Sequence, residues 1–163
     1  MTVNRVAAAR AVLEEVRDPE IPTASIVELG MLHDLREEGE ELVVEILPTF
    51  SGCPALAVIV AMVESELAGA GLGPARVATR ADLPWSTELI SAEGRRQVAA
   101  FGLVPPQRRL RAEEIVCPNC HTLGVVLTSR FGPTPCRAMA RCRVCSEPLE
   151  VFKPLGVPAA SLP

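Results

Sequence analysis

Four cysteines in the last third of the chain form two close pairs, Cys117 with Cys120 and Cys142 with Cys145. The two-residue gap within each pair lets both sulfurs face one ion, and about twenty residues between the pairs leave room for a hairpin. Four converging thiolates suit tetrahedral Zn²⁺, and a site with no open coordination position is structural rather than catalytic. The spacing therefore predicts a structural zinc ion, with iron on the same four sulfurs, or four buried thiols without a metal, as the alternatives.

Cys53 is a second residue that could do chemistry. It lies in Ser51-Gly52-Cys53-Pro54, directly before an apolar segment that is typical of a helix. The positive end of a helix dipole and its free N–H groups favour a thiolate, which can act as a nucleophile or a metal ligand. No base stands near it at a spacing typical of covalent catalysis. Handling of a metal is therefore the functional hypothesis, and a small residue packed at a turn is the alternative.

Asp18 and Glu20 flank Pro19 in a segment that has two prolines in five residues. The prolines end the preceding helix and impose a stiff, extended turn. Both carboxylates project from that turn and could face a metal ion or a basic group of a partner. A solvated turn that only stops a helix is the simpler interpretation of the same residues.

The remaining candidates receive no chemical role from the sequence. Cys136 lacks a partner at two-residue spacing, although it could displace one ligand of the metal centre. His121 adjoins a ligand and is expected to be exposed, and His33 has no obvious partner. We interpret Trp85 as a cover of the hydrophobic core. The sequence therefore predicts no catalytic residue, and we do not expect the chain to be an enzyme by itself.

The elements that must position these residues alternate between helices and strands. Apolar periodicity and turn residues predict helices at 3–17, 54–67 and 91–101, and strands at 25–29, 31–36, 42–47 and 76–80. The helix at 54–67 is apolar on nearly every face and is expected to be buried, with Pro54 at its first position. This pattern predicts an α+β domain, in which a small mixed sheet packs with helices, over residues 1–103.

The second part of the chain is expected to be a small metal-clamped module. A linker rich in Pro and Arg is predicted at 104–112, a zinc ribbon at 113–155 and a flexible tail at 156–163. The ribbon should contain a strand at 125–130, a turn at Gly132-Pro133, a strand at 137–141 and a short strand that ends near Phe152.

Composition limits where the protein works and what it binds. Hydrophobic residues make up 48% of the chain, and the longest apolar run, 55–63, is far shorter than the ~20 residues of a membrane span. The first ten residues lack the apolar run of a signal peptide, and paired thiolates suit a reducing compartment. We therefore expect a soluble, cytoplasmic protein without a membrane partner.

Charge divides the chain into two parts. Residues 1–107 hold eight Arg and sixteen Asp or Glu, for a net charge of −8. Residues 108–163 hold eight Lys or Arg and four Glu, for a net charge of +4; a zinc ion with four thiolates lowers this to about +2. The basic ribbon leaves nucleic-acid binding open as an alternative, which the near absence of aromatic residues for base stacking disfavours.

Several motifs carry a resemblance to a known family. They are DPEIP at 18–22, SIVELGM at 25–31, TFSGCP at 49–54, the stretch 82–90 around Trp85, CPNC at 117–120, SRFG at 129–132, TPC at 134–136, and the second cysteine pair before Glu147-Pro148 and Phe152-Lys153. The first four resemble the SufT-like domain of iron–sulfur assembly and targeting factors. In combination with the ribbon they resemble the PaaD family of bacterial phenylacetate degradation, over almost the whole chain.

The resemblance implies a role beside phenylacetyl-CoA 1,2-epoxidase, a multicomponent di-iron oxygenase that receives electrons from a reductase subunit with an iron–sulfur cluster. It implies that Cys53 is the reactive cysteine and that Asp18 and Glu20 are the acidic turn of the family, with iron or an iron–sulfur cluster bound transiently. The expected partners are the oxygenase and reductase subunits, and self-association stays open. A non-catalytic structural subunit is the alternative. Pro133 and Pro135 depart from the family pattern and stiffen the turn, which argues against a dynamic role for Cys136.

Overall fold

The computed structural model describes residues 4–156, which form three α-helices and seven β-strands in two sheets. In chain order the elements are α1 (Arg5–Leu13), β1 (Leu32–Glu38), β2 (Glu41–Ile46), α2 (Leu56–Gly69), β3 (Ala75–Thr79), α3 (Ala92–Ala100), β4 (Leu103–Val104), β5 (Val125–Ser129), β6 (Arg137–Cys142) and β7 (Pro148–Phe152). Single turns of 3₁₀-helix lie at Thr87–Leu89 and Ala112–Glu114. The α+β class predicted from the sequence is confirmed.

The first sheet has the order β1-β2-β3 and forms the body of the protein. β1 and β2 form an antiparallel hairpin, and β3 joins β2 in parallel after the crossover helix α2. β2 is the central strand, so its apolar side chains are buried, including Leu42, Val44 and Ile46. Helices α1 and α2 pack together and complete this core, which also holds Leu13 and Ile59.

Helix α1 ends at Leu13, so the predicted helix at 3–17 was too long. The main chain after Leu13 turns and pairs with a later segment instead of continuing the helix. The N–H of Ile26 donates to the carbonyl of Val16 at 3.0 Å, and the N–H of Asp18 donates to the carbonyl of Ala24 at 3.0 Å. These bonds close the loop that contains the turn at residues 18–22.

The predicted strand at 25–29 was wrong. Ser25 makes one isolated bridge with Arg17, and residues 26–30 form a tight turn. Two local hydrogen bonds explain the difference: the Glu28 carboxylate accepts from the Ser25 N–H at 2.7 Å, and the Ser25 hydroxyl accepts from the Glu28 N–H at 3.1 Å. Such side-chain bonds to the local backbone compete with extended pairing.

Helix α2 begins at Leu56 rather than at Pro54, and it buries one face instead of nearly all. Ile59, Val63 and Leu67 are fully buried against the sheet, whereas Val58 is 49% exposed. The apolar composition predicted the helix correctly but not its burial, because Ala and Val residues also occupy the face that the sheet leaves open.

The second sheet has the order β4-β7-β6-β5 and forms the ribbon. The predicted strands at 125–130 and 137–141 and the strand that ends near Phe152 are confirmed within two residues. β4 pairs in parallel with β7, so Val104 lies opposite Val151 inside this sheet, at the start of the segment predicted as a linker. The tail predicted at 156–163 lies, from residue 157 onward, outside the described residues.

The ribbon packs directly on the body. The indole of Trp85 lies 6.2 Å from the ring of Phe152, and the N–H of Thr87 donates to the carbonyl of Leu155 at 3.0 Å. This contact places the start of β6 beside the turn that precedes α2. Within residues 4–156 no helix has the length and apolar character required to cross a membrane.

Candidate metal centre and cysteine cleft

The four paired cysteines converge at one end of the ribbon. Their sulfur atoms all lie within 4.8 Å of one another, with Cys117 Sγ 3.7 Å from Cys145 Sγ and Cys120 Sγ 3.5 Å from Cys142 Sγ. Four sulfurs at about 2.3 Å from a shared zinc ion stand about 3.8 Å apart at the corners of a tetrahedron. The spacing and the donor set therefore fit Zn²⁺, as the sequence predicted.

Each cysteine pair lies on a tight turn, or knuckle, at 117–120 and 142–145. Hydrogen bonds within and beside these knuckles favour the ionised form of two of the thiols. The backbone N–H groups of Cys145 and Val144 hold the pKa of Cys142 at about 5, and the hydroxyl of Thr122, 2.8 Å from Cys120 Sγ, lowers the pKa of Cys120. The N–H of Cys120 also favours the thiolate of Cys117, but burial and the neighbouring thiols outweigh it and raise the pKa of Cys117 to about 11. A cation is needed to bring all four sulfurs into the thiolate form together.

His121 is exposed, and its left-handed backbone conformation (φ 58°) belongs to the first knuckle. Its N–H donates to the carbonyl of Cys117 at 2.9 Å. The expectation that it would be exposed is confirmed.

Cys53 lies in the turn that leads into α2. Gly52 adopts a positive φ of 82°, which a residue with a side chain rarely adopts, and it thereby allows the chain to reverse before the helix. The carbonyl of Cys53 accepts from the N–H of Leu56 at 3.2 Å, so the cysteine stands three residues before the first helical residue. Its side chain is half-buried and remains accessible from the surface.

A small cleft between the body and the ribbon connects Cys53 with the acidic turn. Its volume is about 20 Å³, which is room for roughly one water-sized species. The polar and sulfur-bearing residues that line it are Asp18, Glu20, Thr49, Cys53, Cys136 and Arg137. Its apolar lining residues are Ile21, Leu29, Phe50, Ala55, Trp85 and Phe152. The structure thus places the three candidates Cys53, Asp18 and Glu20 around one cavity.

Asp18 also has a structural task in the turn. One oxygen of its carboxylate accepts from the N–H groups of Glu20 and Ile21, both at 2.8 Å. The side chain is buried, and this burial raises the pKa of Asp18, while the two N–H donors and Arg137 oppose the shift. Asp18 is therefore a turn-forming carboxyl with one oxygen committed to the backbone.

Arg137 is the first residue of β6, and its guanidinium lies buried between the two units. It donates to Glu150 Oε2 at 2.8 Å and to the main-chain carbonyl of Glu20 at 3.0 Å. Its Nε is one of two buried side-chain nitrogen or oxygen atoms, within residues 4–156, that lack a hydrogen-bond partner. A buried N–H of a cation without a partner is costly.

The cleft is not a preassembled site with three metal ligands. Among the described residues, the only group of three or more Cys, His, Asp or Glu side chains whose ligand atoms lie within 4.8 Å of one another is the ribbon centre. Cys53, Asp18 and Glu20 share a cavity without that convergence.

The sequence alone did not associate Cys136, Arg137 and Phe152 with Cys53. One signal was present: once the two pairs are set aside, Cys53 and Cys136 are the two cysteines that remain. Trp85 was predicted to cover the core, and it does, with 4% exposure and an indole N–H that donates to the carbonyl of Leu29 at 3.0 Å. It also lines the cleft, which the sequence did not indicate.

Two protein families match the two parts of the chain. Residues 7–78 match the family described as iron-sulfur cluster assembly protein, and residues 104–153 match the PaaD zinc beta ribbon domain. The first match includes Asp18, Glu20 and Cys53. The second includes the four clustered cysteines, Cys136 and Arg137.

Two known proteins are similar to more than half of this chain. A curated protein of Escherichia coli (strain K12), whose name gives it provisionally as a subunit of 1,2-phenylacetyl-CoA epoxidase, is 33% identical over 147 residues, which span 88% of this chain and 89% of that protein. The crystal structure of a domain of unknown function, DUF59, from Bacillus anthracis matches with a TM-score of 0.53 and 28% identity, over 58% of this chain and 92% of that one.

Proposed function

This chain belongs to the PaaD family, and from that premise we propose that it is an accessory or maturation component of the phenylacetyl-CoA 1,2-epoxidase system in aerobic phenylacetate degradation. Its task is to assist iron or iron–sulfur assembly in that multicomponent oxygenase, and it works in the cytoplasm. Its partners are the oxygenase and reductase subunits, of which the reductase requires an iron–sulfur cluster.

One observation carries this proposal: Cys53 lies half-buried at a cleft beside Asp18 and Glu20, in the part of the chain that matches iron–sulfur cluster assembly proteins. A half-buried thiol can receive a soft metal and release it again, whereas a fully closed site retains its ion. The carboxyl groups of the acidic turn add oxygen donors at the same cavity. Iron is the cargo in this proposal and not a resident cofactor.

The ribbon has a structural role and a docking role in this proposal. Zinc bound by Cys117, Cys120, Cys142 and Cys145 clamps the two knuckles and so keeps β6 and β7 in place against the body. Because no coordination position is open, the ribbon centre takes no part in handling cargo. The ribbon and its exposed surface are the part of the chain that docks on a subunit of the oxygenase system.

The proposal is tested by expressing the epoxidase subunits with either wild-type protein or the Cys53→Ala variant. We expect the variant to lower both the epoxidation rate and the iron content of the purified oxygenase and reductase. Ser51→Ala is the matched control, because Ser51 is exposed in the same turn and does not line the cleft. Wild-type activity and iron content with Cys53→Ala would remove this thiol from the mechanism.

A second candidate function is a non-catalytic structural subunit of the epoxidase. The name of the Escherichia coli relative, which describes a subunit, favours it. This role predicts co-purification at a fixed stoichiometry with the oxygenase and an activity that Cys53→Ala leaves unchanged. A fully active oxygenase that elutes from gel filtration without this protein would contradict it.

A further inference from the structure

The two cysteines outside the metal centre line the same cleft. Cys53 lies in the turn before α2 in the body, and Cys136 is the residue directly before β6 in the ribbon. Cys136 is buried, with 6% exposure, and its sulfur lies 3.0 Å from the hydroxyl of Thr134. Neither sulfur is among the four that cluster at the other end of the ribbon.

The size of the cleft limits what can lie between the two thiols. A volume of about 20 Å³ holds roughly one water-sized species, so a single ion fits and a larger organic ligand does not. Thiols select soft metals, and binding replaces the proton of each thiol with the ion. Burial raises the pKa of the Cys136 thiol, against the opposing effects of Thr134 and Arg137, so this thiol keeps its proton until an ion displaces it.

Arg137 supplies the second, independent observation. Its side chain is only 9% exposed, it lines the cleft, and its Nε has no hydrogen-bond partner. The guanidinium opposes the effect of burial on the pKa of the Cys136 thiol, and an unpartnered N–H can donate to a thiolate sulfur. Glu20 and Asp18 are the carboxyl groups that face the same cavity, and Glu150 already pairs with the guanidinium.

We propose that Cys53 and Cys136 together bind one thiophilic divalent ion, with the unpartnered Nε–H of Arg137 positioned to donate a hydrogen bond to a bound thiolate sulfur. The two thiols release their protons to solvent as the sulfurs bind the ion, and no electron is transferred. The site is shared between the body and the ribbon, so it is incomplete without the ribbon. This inference rests on the proposed function, since the ion is the iron that the protein handles.

The test uses the full chain with its ribbon loaded with zinc, and Co²⁺ as the probe. Co²⁺ bound to thiolates gives a near-ultraviolet charge-transfer band whose intensity rises with the number of Co–S bonds. It also quenches nearby fluorescence, and Trp85 at the cleft is the only tryptophan in a chain without tyrosine. We expect one Co²⁺ per chain beyond the zinc, with both signals.

Three variants separate the contributions. Cys53→Ser and Cys136→Ser should each weaken Co²⁺ binding by at least about 100-fold. Loss of a group that only hydrogen-bonds to a metal ligand costs up to about 100-fold, and loss of a ligand should cost no less. Ser51→Ala should bind as the wild type does. Zinc content and far-ultraviolet circular dichroism show whether each variant is folded, and X-ray absorption of the wild-type Co²⁺ complex, which needs no variant, should count two Co–S bonds.

Two results would overturn the inference. One is a Cys136→Ser protein that binds Co²⁺ with wild-type affinity and band intensity, or a wild-type complex with one Co–S bond; the site would then depend on Cys53 alone, and the proposed function would stand. The other is a wild-type protein that binds no Co²⁺ beyond the ribbon ion. The epoxidation assay with Cys53→Ala would then decide the proposed function separately.

Discussion

The guanidinium of Arg137 donates a 3.0 Å hydrogen bond to the main-chain carbonyl of Glu20, and this bond joins two segments that are 117 residues apart in the chain. It connects the first residue of ribbon strand β6 to the acidic turn of the body. The same guanidinium pairs with Glu150 on β7 at 2.8 Å. Arg137 therefore fixes the position of the cleft by holding both of its sides.

We expect Arg137→Ala to lower the free energy of unfolding by about 1–3 kcal/mol, because it leaves the partly buried carbonyl of Glu20 and the partly buried carboxylate of Glu150 without their donor. Urea unfolding of the zinc-loaded protein measures this loss. Arg141→Ala on the same strand is the control, since Arg141 is exposed, and it should change stability by less than about 0.5 kcal/mol. Equal effects of the two substitutions would argue against a linking role for Arg137.

Removal of the ribbon metal should loosen β5, β6 and β7 and leave β1, β2 and β3 protected. Metal binding energy contributes directly to the folding of small zinc modules, at about 10–16 kcal/mol in isolated peptides. Hydrogen exchange of the full chain, with and without a chelator, measures protection strand by strand. Cys142→Ala should reproduce the effect without chelator, whereas Cys53→Ala should keep a full equivalent of zinc. Unchanged protection of β6 after metal loss would show that the strands do not need the clamp.

Asp18→Asn should stabilise the protein at neutral pH, and this gain should disappear in acid. Burial raises the pKa of Asp18 in the folded protein above its ordinary value of 3.8, so the charged carboxylate destabilises the folded state at pH values above the raised pKa. An asparagine oxygen can still accept from Glu20 and Ile21 but carries no charge. As the pH falls through the raised pKa toward 3.8, wild-type Asp18 becomes neutral and the two proteins converge.

The difference in urea-unfolding free energy between Asp18→Asn and wild type, followed from pH 7 to acid, tests this directly, because the titration of other groups cancels in the difference. A variant that is less stable than wild type at pH 7 would mean that the charged hydrogen bonds of the turn outweigh the cost of burial.

Gly94→Ala should lower the free energy of unfolding by about 1–3 kcal/mol. An added Cβ would collide with the main-chain carbonyl oxygen of Glu28 and would overpack the contact of α3 with the turn at residues 26–30. Gly69→Ala in the last turn of α2 is the matched control. An added Cβ there meets nothing within 4 Å, and alanine should stabilise the helix by up to about 1 kcal/mol. Thermal unfolding compares the two. Loss of stability in both variants would indicate a general effect of the substitution.

The sequence predicted the elements with strong periodicity and the convergence of the four paired cysteines. It failed where local side chains compete with pairing: Ser25 and Glu28 close a turn that apolar content had suggested as a strand. It also could not tell which face of α2 is covered, because the exposed Val58 is as apolar as the buried Val63. The association of Cys136 with Cys53 depends on how the ribbon packs on the body, and no spacing within either segment contains that information.

The maturation role is tested by chemical reconstitution of epoxidase subunits purified from cells that carry Cys53→Ala. If the protein assists iron or iron–sulfur assembly, these subunits should be deficient in iron, and anaerobic addition of Fe²⁺ and sulfide should restore epoxidation without any of this protein present. Subunits that contain their full iron from the start, or that stay inactive after full iron loading until this protein is added, would contradict a maturation role.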